Sequence, residues 1–271
     1  MLDPHFEDRG YAIALAELDE ARDIWELSVY VPHDDTALVR TELSGMLPDL
    51  AAGAILEEED LPDIDWVSLS LEGLKPVRVG RYLVHGSHDR AKVKAGDLAI
   101  EIDAGQAFGT GHHGTTAGCL EMMDRIARFG RTTNILDLGT GSAVLAIAAA
   151  KRFHVPVLAT DIDPVAVAVA RRNIRKNGVE TAIRTRTAAG FHAKVFAESG
   201  PFDLVVANIL ARPLMAMAPD LRRHLAPGGQ VILSGIGAAK RWRVIAAYRD
   251  QGLFHRHTIW RDGWVTMHLS A

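Results

Sequence analysis

Three short stretches in the second half of the chain contain residues that could bind a ligand or take part in a reaction. Each of them directly follows an apolar run that predicts a strand. The first is Gly139-Thr-Gly141, directly after Ile135–Leu138 and before an alanine-rich segment. The second is Asp161, which closes the run VPVLAT, and the third is Asn208, which closes FDLVVA. In an open parallel sheet, ligands bind beyond the carboxyl ends of the strands. We therefore predict one binding site that combines these stretches.

The spacing of these residues indicates a nucleotide-like ligand. Glycine has no Cβ, so backbone N–H groups can approach a ligand closely at such a turn. Asp161 follows Gly139 at about the 20-residue spacing at which an acidic side chain meets ribose hydroxyls. A dinucleotide fingerprint would need Gly or Ala where Val144 stands, and no Walker phosphate loop is present. Dinucleotides and nucleoside triphosphates are therefore disfavoured.

Strands that alternate with helices surround these residues. This order predicts an α/β fold with a doubly wound sheet and right-handed crossovers, and the turn Arg261-Asp262-Gly263 predicts a terminal antiparallel hairpin. Upstream, we predict one strand in PVRVGRYLVHG, one in DLAIEIDAG, and a Gly-rich loop that leads into a helix from about Thr115. A Pro-Gly-Gly turn is predicted to separate the helix LMAMAPDLRRHL from the fifth strand of the sheet.

Residues 1–60 are predicted to form a small α+β unit. Two strands, a helix and a further strand in AAGAILEEED give the order ββαβ. Residues 61–73 are predicted to be a linker helix, and residues 74–271 to be the larger domain. The small unit has too little core to bind much alone, so packing or partner recognition is its expected role.

Composition limits the classes of protein to which the chain can belong. With 271 residues, 48% hydrophobic and 24% charged, it suits one large and one small globular domain. No apolar run approaches the roughly 20 residues of a membrane span, and the polar start MLDPHFEDRG is unlike a signal peptide, so we expect a cytoplasmic protein without membrane contact. A net charge of −4 does not suggest a nucleic-acid-binding face. The single cysteine, Cys119, is expected to be a buried structural thiol.

His112-His113 could suggest a metal site. Adjacent histidines rarely converge on one ion, and no other His, Cys or carboxylate set has ligand spacing. We predict no metal.

Taken together, four motifs resemble the PrmA family of class I S-adenosylmethionine-dependent methyltransferases. They are AFGTGHHGTT, LDLGTGSAVLAIA, TDIDPVA and Asn208-Ile209-Leu210. Each motif alone is weak, but the four occur in the family's order between about Leu61 and Ala271. The resemblance implies an enzyme that methylates lysine ε-amines and the N-terminal α-amine of the eleventh large-subunit ribosomal protein, with a ferredoxin-like N-terminal domain that recognises this substrate.

The resemblance also assigns roles to individual residues. Asn208, Ile209 and Leu210 would face the methyl group and the incoming amine. The implied contacts to S-adenosylmethionine are Thr110, Thr116, Gly139, Gly141, Asp161 and Asn208. A neutral amine attacks the methyl group in line, so we expect catalysis by positioning, without a dedicated base.

Two departures from the family pattern keep alternatives open. Ala143 stands where relatives commonly have a third glycine, which predicts at most a reduced cofactor affinity. A ferredoxin-like domain runs βαββαβ, whereas residues 1–60 give ββαβ, so we expect either a start site placed too late or a reduced recognition domain. The alternatives are a methyltransferase of another protein or small amine, and a non-catalytic cofactor-binding ribosome-assembly protein.

Overall fold

The computed structural model describes residues 12–19, 24–31, 33–50, 55–56, 58, 76–102, 113–128 and 132–271. The chain divides into two units, residues 1–63 and 64–271. In the first unit, β1 (Ala12–Asp19) and β2 (Ile24–Tyr30) pair antiparallel, and a 3-10 turn leads into α1 (Thr36–Leu50). These elements confirm the predicted first two strands and helix. The predicted strand in AAGAILEEED and the linker helix over 61–73 lie mostly or entirely outside the described residues.

The described part of the second unit begins with a three-stranded sheet. It contains β3 (Val77–Val79), β4 (Tyr82–His85) and β5 (Leu98–Glu101) in the order β3-β4-β5. The prediction of a single strand in PVRVGRYLVHG is therefore wrong. The chain reverses at Gly80, whose φ of +55° suits a tight turn between β3 and β4.

The main sheet confirms the predicted doubly wound α/β fold. Its elements, in chain order, are α2 (His113–Ile126), β6 (Ile135–Leu138), α3 (Val144–Phe153), β7 (Val157–Asp161), α4 (Pro164–Lys176), β8 (Ile183–Thr187), α5 (Lys194–Ser199), β9 (Phe202–Asn208), α6 (Ala211–His224), β10 (Leu225–Gly237), α7 (Arg241–Arg249), β11 (Phe254–Arg261) and β12 (Trp264–Ser270). The strand order is β11-β12-β10-β9-β6-β7-β8. The predicted terminal hairpin is present, and β12 lies antiparallel between β10 and β11.

Helices cover both faces of this sheet, and successive strand residues point to opposite faces. Leu204 of β9 packs in one apolar cluster with residues of α2, α3 and α4. Its neighbour Val205 packs in a second cluster with residues of α5, α6 and α7. Cys119 is fully buried in the first cluster, and burial raises the pKa of its thiol to about 12. This agrees with the predicted structural role of the thiol.

The predicted Pro-Gly-Gly turn differs from the structure in one respect. Ala226–Gly229 does not precede the fifth strand but lies inside β10, where the pairing with β9 shifts between Leu225 and Gln230. Gly228 has a φ of +70°, which permits the irregularity without breaking the strand. Among the described residues, no helix is long and apolar enough to cross a membrane.

Candidate active site

The glycine turn after β6 is tied to the neighbouring strand by its backbone. Gly139 and Gly141 have φ values of +73° and +52°, a conformation that glycine adopts without a Cβ penalty. The N–H groups of Gly139 and Thr140 both donate to the carbonyl oxygen of Thr160, each at 2.8 Å. The turn is therefore fixed at the carboxyl ends of β6 and β7, as the sequence predicts.

Ala143 completes the turn in a left-handed conformation. Its φ is +67°, and its side chain is fully buried at the start of α3. An L-residue with a Cβ pays roughly 1–2 kcal/mol in this conformation, whereas glycine does not. The structure thus identifies a backbone cost at the position for which the sequence predicted at most a reduced cofactor affinity.

Asp161 joins the end of β7 to the glycine turn. Its Oδ2 accepts a hydrogen bond from the Gly141 N–H at 2.8 Å, and its Oδ1 accepts one from the Asp163 N–H at 3.1 Å. Capping of α4 falls to Asp163, whose carboxylate accepts from the Val165 N–H at 2.8 Å. An ionised carboxylate has about four acceptor positions, so Asp161 retains capacity for a ligand.

Asn208 ends β9 and is oriented by the first turn of α2. Its Nδ2 donates to Thr115 Oγ1 at 3.3 Å, and its Oδ1 has no hydrogen-bond partner within the described part of the chain. Ser234, beside Asn208 in β10, donates to the Thr115 carbonyl at 3.3 Å and shares a 2.8 Å hydrogen bond with Thr266 of β12. The amide oxygen of Asn208 is therefore left as the available acceptor.

Ile209 links Asn208 to the glycine turn. A Cβ at Gly139 would overlap Ile209 Cγ2, and a Cβ at Gly235, where φ is +77°, would lie 2.6 Å from the Ile209 carbonyl oxygen. Leu210, the next residue, is 66% exposed. The segment Asn208–Leu210 is thus held from two sides by glycines, with Leu210 open to solvent.

We expect Gly235→Ala to reduce turnover by at least about tenfold, because the new Cβ displaces the Ile209 backbone and the left-handed φ adds strain. The matched control is Gly237→Ala in the same strand. At Gly237 a Cβ meets nothing within 4 Å, so this variant should retain wild-type activity. Steady-state kinetics on both proteins measures the difference in turnover. Equal activity of the two variants would contradict the proposed role of Gly235.

Asp137 lies beneath the turn as a buried acid. Its Oδ2 accepts from Thr140 Oγ1 at 2.6 Å and from the Ala146 N–H at 2.9 Å. Its Oδ1 is buried and has no hydrogen-bond partner among the described residues. Burial, reinforced by the charge of Asp161, raises the pKa of Asp137 to about 7.

This raised pKa predicts a pH-dependent stability. In the unfolded chain the Asp137 carboxyl titrates near pH 4. The folded state holds its proton up to a pKa of about 7, so the stability it contributes is complete below pH 4 and is lost as the pH rises through 7. Between pH 5 and 7 the wild-type free energy of unfolding should fall by about 2–3 kcal/mol more than that of Asp137→Asn. Denaturant titrations at several pH values measure this free energy for both proteins. The same pH dependence in the wild type and in Asp137→Asn would contradict the prediction.

The structure describes most, but not all, of the residues that are predicted to contact the cofactor. Gly139, Gly141, Asp161 and Asn208 are joined through the contacts above, and Thr116 is buried in the first turn of α2. Thr110 and His112 lie outside the described residues. Within the described part, no three His, Cys, Asp or Glu side chains could hold a metal ion.

Several other residues at this edge support the site. Thr115, Ser234 and Thr266 support Asn208 through contacts across the sheet, and no local sequence pattern indicates them. Ile162 is different, because an apolar residue directly after Asp161 was a readable signal. Its side chain is 70% exposed, and that of Val165 is 50% exposed, which leaves apolar surface next to Asp161.

Comparisons with known proteins agree on one family. The family model described as ribosomal protein L11 methyltransferase (PrmA) matches residues 3–271. A curated ribosomal protein L11 methyltransferase from Rhizobium etli is 63% identical over 264 residues, which cover 97% of this chain and 90% of that protein. One from Rhizobium meliloti is 62% identical over 265 residues, covering 98% of this chain and 91% of that protein.

Solved structures show the same likeness. The crystal structure of ribosomal protein L11 methylase from Lactobacillus delbrueckii subsp. bulgaricus matches with a TM-score of 0.64 and 31% identity, over 72% of this chain and 97% of that chain. A methyltransferase from Pyrococcus furiosus matches with a TM-score of 0.52 at 20% identity, over 63% of this chain and 88% of that chain. The second match supports the fold alone.

Proposed function

We infer that this chain, which belongs to the ribosomal protein L11 methyltransferase family, transfers methyl groups from S-adenosylmethionine to ribosomal protein L11. The acceptors are lysine ε-amines, the N-terminal α-amine, or both. The family predicted from four sequence motifs is thereby confirmed. The observation that carries the proposed mechanism is the connection of Asp161, the glycine turn, Ile209 and Asn208 through hydrogen bonds and close contacts at one edge of the sheet.

The chemistry of this edge fits S-adenosylmethionine. The unused acceptor positions of Asp161 suit the two hydroxyls of a ribose. The exposed side chain of Ile162 offers an apolar surface for a purine. We propose that these groups, with Gly139, Gly141, Thr110, Thr116 and Asn208, hold the cofactor.

When bound, the cofactor supplies a methyl group on a positively charged sulfur. The protein's task is to present a neutral amine in line with that methyl group. The Nδ2 of Asn208 donates to Thr115, so its Oδ1 is the atom that can accept a hydrogen bond from an amine N–H. This orientation directs the nitrogen lone pair without withdrawing a proton. Ile209 and Leu210 complete the rim on which the amine approaches.

Deprotonation of the amine is the main cost that remains. A lysine amine with a pKa of about 10.4 loses its proton at pH 7 at a cost of about 4.6 kcal/mol. Asn208 is neutral and cannot serve as the base, so the proton passes to solvent before the amine reaches the rim. Turnover should therefore increase with pH through the neutral range until the protein loses stability.

Each part of the chain has its own role in this reaction. We propose that residues 1–60 recognise the substrate protein, that residues 61–73 link the two domains, and that residues 74–271 bind the cofactor and perform the transfer.

Incubation of the purified full-length chain with methyl-labelled S-adenosylmethionine and isolated large-subunit ribosomal proteins tests the proposal. Label should appear on L11, and peptide mass spectrometry should locate it on lysines or on the first residue. Label on a different protein or on a small amine would identify that molecule as the substrate in place of L11. Cofactor binding by calorimetry without label transfer to any component would indicate a non-catalytic protein.

A further inference from the structure

A second concave site lies at the opposite end of the main sheet. Its cavity has a volume of about 400 Å³. Gln230, on its wall, precedes Ser234 by four residues in β10, and Ser234 lies beside Asn208. At about 3.3 Å per strand residue, roughly 13 Å separates the cavity from the level of Asn208. The side chains that define it are Arg125, Gln230, Arg256, His257, His268 and Ser270.

Strand register brings the sheet-borne side chains to one face. Gln230 pairs with Ser270, and His268 pairs with His257. Paired residues share a face, and so do residues two apart in one strand, so these four side chains point the same way. The pairing of β11 with β12 shifts between His255 and His257, which makes Arg256 the extra residue of a bulge. Such a bulge re-aims its side chain, here toward the cavity.

Two guanidinium groups enter the cavity from different elements. Arg256 donates through Nε to Ser270 Oγ at 2.8 Å, and its guanidinium carbon lies 6.0 Å from the centre of the Phe254 ring. Its two Nη groups have no hydrogen-bond partner among the described residues. Arg125, in the last turn of α2, forms no ion pair within the described part of the chain. The adjacent Asp124 instead pairs with Arg128 and Arg152. Among the described residues, no Asp or Glu lines the cavity.

The pKa of His268 reflects the positive potential of the two guanidinium groups. Burial first, and then the charges of Arg256 and Arg125, lower the pKa of His268 to about 4. The imidazole is therefore neutral near pH 7, and it carries one N–H. Its Nε2 is buried and has no hydrogen-bond partner among the described residues. An anion in the cavity could accept from this ring as well as from the guanidinium groups.

We propose that this cavity is a phosphate-binding site, independent of the methyl-transfer site. A tetrahedral oxyanion accepts hydrogen bonds in several directions, and guanidinium groups pair strongly with its oxygens. Arg125 and Arg256 approach from two elements, and the Gln230 amide and the His268 ring add neutral donors. The phosphate comes either from a free phosphate or nucleotide, or from the backbone of an RNA.

Calorimetric titration of the full-length protein with sodium phosphate at low ionic strength tests the site. We expect saturable binding by the wild type and at least about tenfold weaker binding by the double variant Arg125→Ala/Arg256→Ala. The matched control is Arg243→Ala/Arg249→Ala, which removes the same charge from α7 on the other face of the sheet. This control should bind phosphate like the wild type.

Competition identifies the source of the phosphate. In one arm, adenosine monophosphate is titrated; in the other, a labelled ten-nucleotide RNA is titrated with and without phosphate. Three results together would identify the RNA backbone as the ligand: the RNA binds, phosphate displaces it, and the double variant binds it more weakly than the wild type does. If only phosphate and the mononucleotide bind, a free anion is the ligand. Both results support the site.

The affinity for S-adenosylmethionine reports on folding, because neither arginine lies near the glycine turn. It should be unchanged in the double variant. If that variant fails to fold, Arg125→Ala alone, which alters an exposed side chain, is expected to weaken phosphate binding about fivefold. Absence of saturable phosphate binding by the wild type, or equal affinity in the arginine variants and the control, would overturn the proposal.

Discussion

Replacement of Asp161 by alanine is expected to weaken the binding of S-adenosylmethionine by at least about 100-fold. Two effects add in this variant. The carboxylate that we propose as the ribose acceptor is lost, and the Gly141 N–H loses its 2.8 Å partner, so the glycine turn is no longer tied to β7. Hydrogen bonds to a charged group contribute about 1.5–3 kcal/mol each. Calorimetric titration of the purified variant with the cofactor measures the loss.

Asp163→Ala is the matched control for this experiment. It removes a carboxylate two residues away that only caps α4. Loss of an N-cap costs about 1 kcal/mol of stability. Cofactor affinity should therefore stay within about threefold of the wild type. If Asp161→Ala bound the cofactor as well as Asp163→Ala does, the ribose assignment would have to be abandoned.

Asn208→Ala is expected to lower turnover by about 100-fold, because the acceptor that aligns the amine is removed and small misplacements of reacting atoms have effects of this size. Cofactor affinity should fall by at most about tenfold, since Asn208 is one of several proposed contacts. Separate measurements of methyl transfer and of cofactor binding distinguish the two effects. Unchanged turnover together with normal cofactor affinity would remove Asn208 from the mechanism.

Thr115 provides a graded test of the same idea. Thr115→Val keeps the shape of the side chain but removes the hydroxyl that fixes the Asn208 amide, so turnover should fall about tenfold. Thr115→Ser restores the hydroxyl and should recover most of the activity. A pH–rate profile that keeps its shape in both variants would agree with a positioning role, because neither change adds or removes a titrating group.

The sequence predicts the parts of the site that depend on local pattern. Ile135–Leu138 followed by two glycines and an alanine-rich run is readable as strand, turn and helix, and the structure confirms it. The convergence of Asp161 and Asn208 follows from the parallel order of the strands, because their carboxyl ends meet at one edge. The cofactor roles of these residues stay predictions.

Other features depend on contacts between distant segments and have no local signature. Ser234 supports Asn208 only because β10 lies beside β9, and Gly235 is small because the Ile209 backbone passes next to it. The sheets around Gly80 and Gly228 likewise decide the backbone at these two glycines. The segment around Gly80 suggests one continuous strand, but the chain reverses there. The Pro-Gly-Gly segment suggests a turn before the strand, but Gly228 lies inside β10.

The position of β12 has a consequence for biosynthesis. This strand follows all others of the main sheet in the chain, yet it fills the place between β10 and β11. Until the ribosome has made it, β10 has one unpaired edge, and Thr266 is not there to hold Ser234 and, through it, the segment around Asn208. A nascent chain can fold its first unit early, but its transferase site can assemble only after β12 has been made. Each new molecule should therefore gain activity in a single step when β12 pairs with β10, and holdase chaperones should bind it mainly during the interval in which that edge is open.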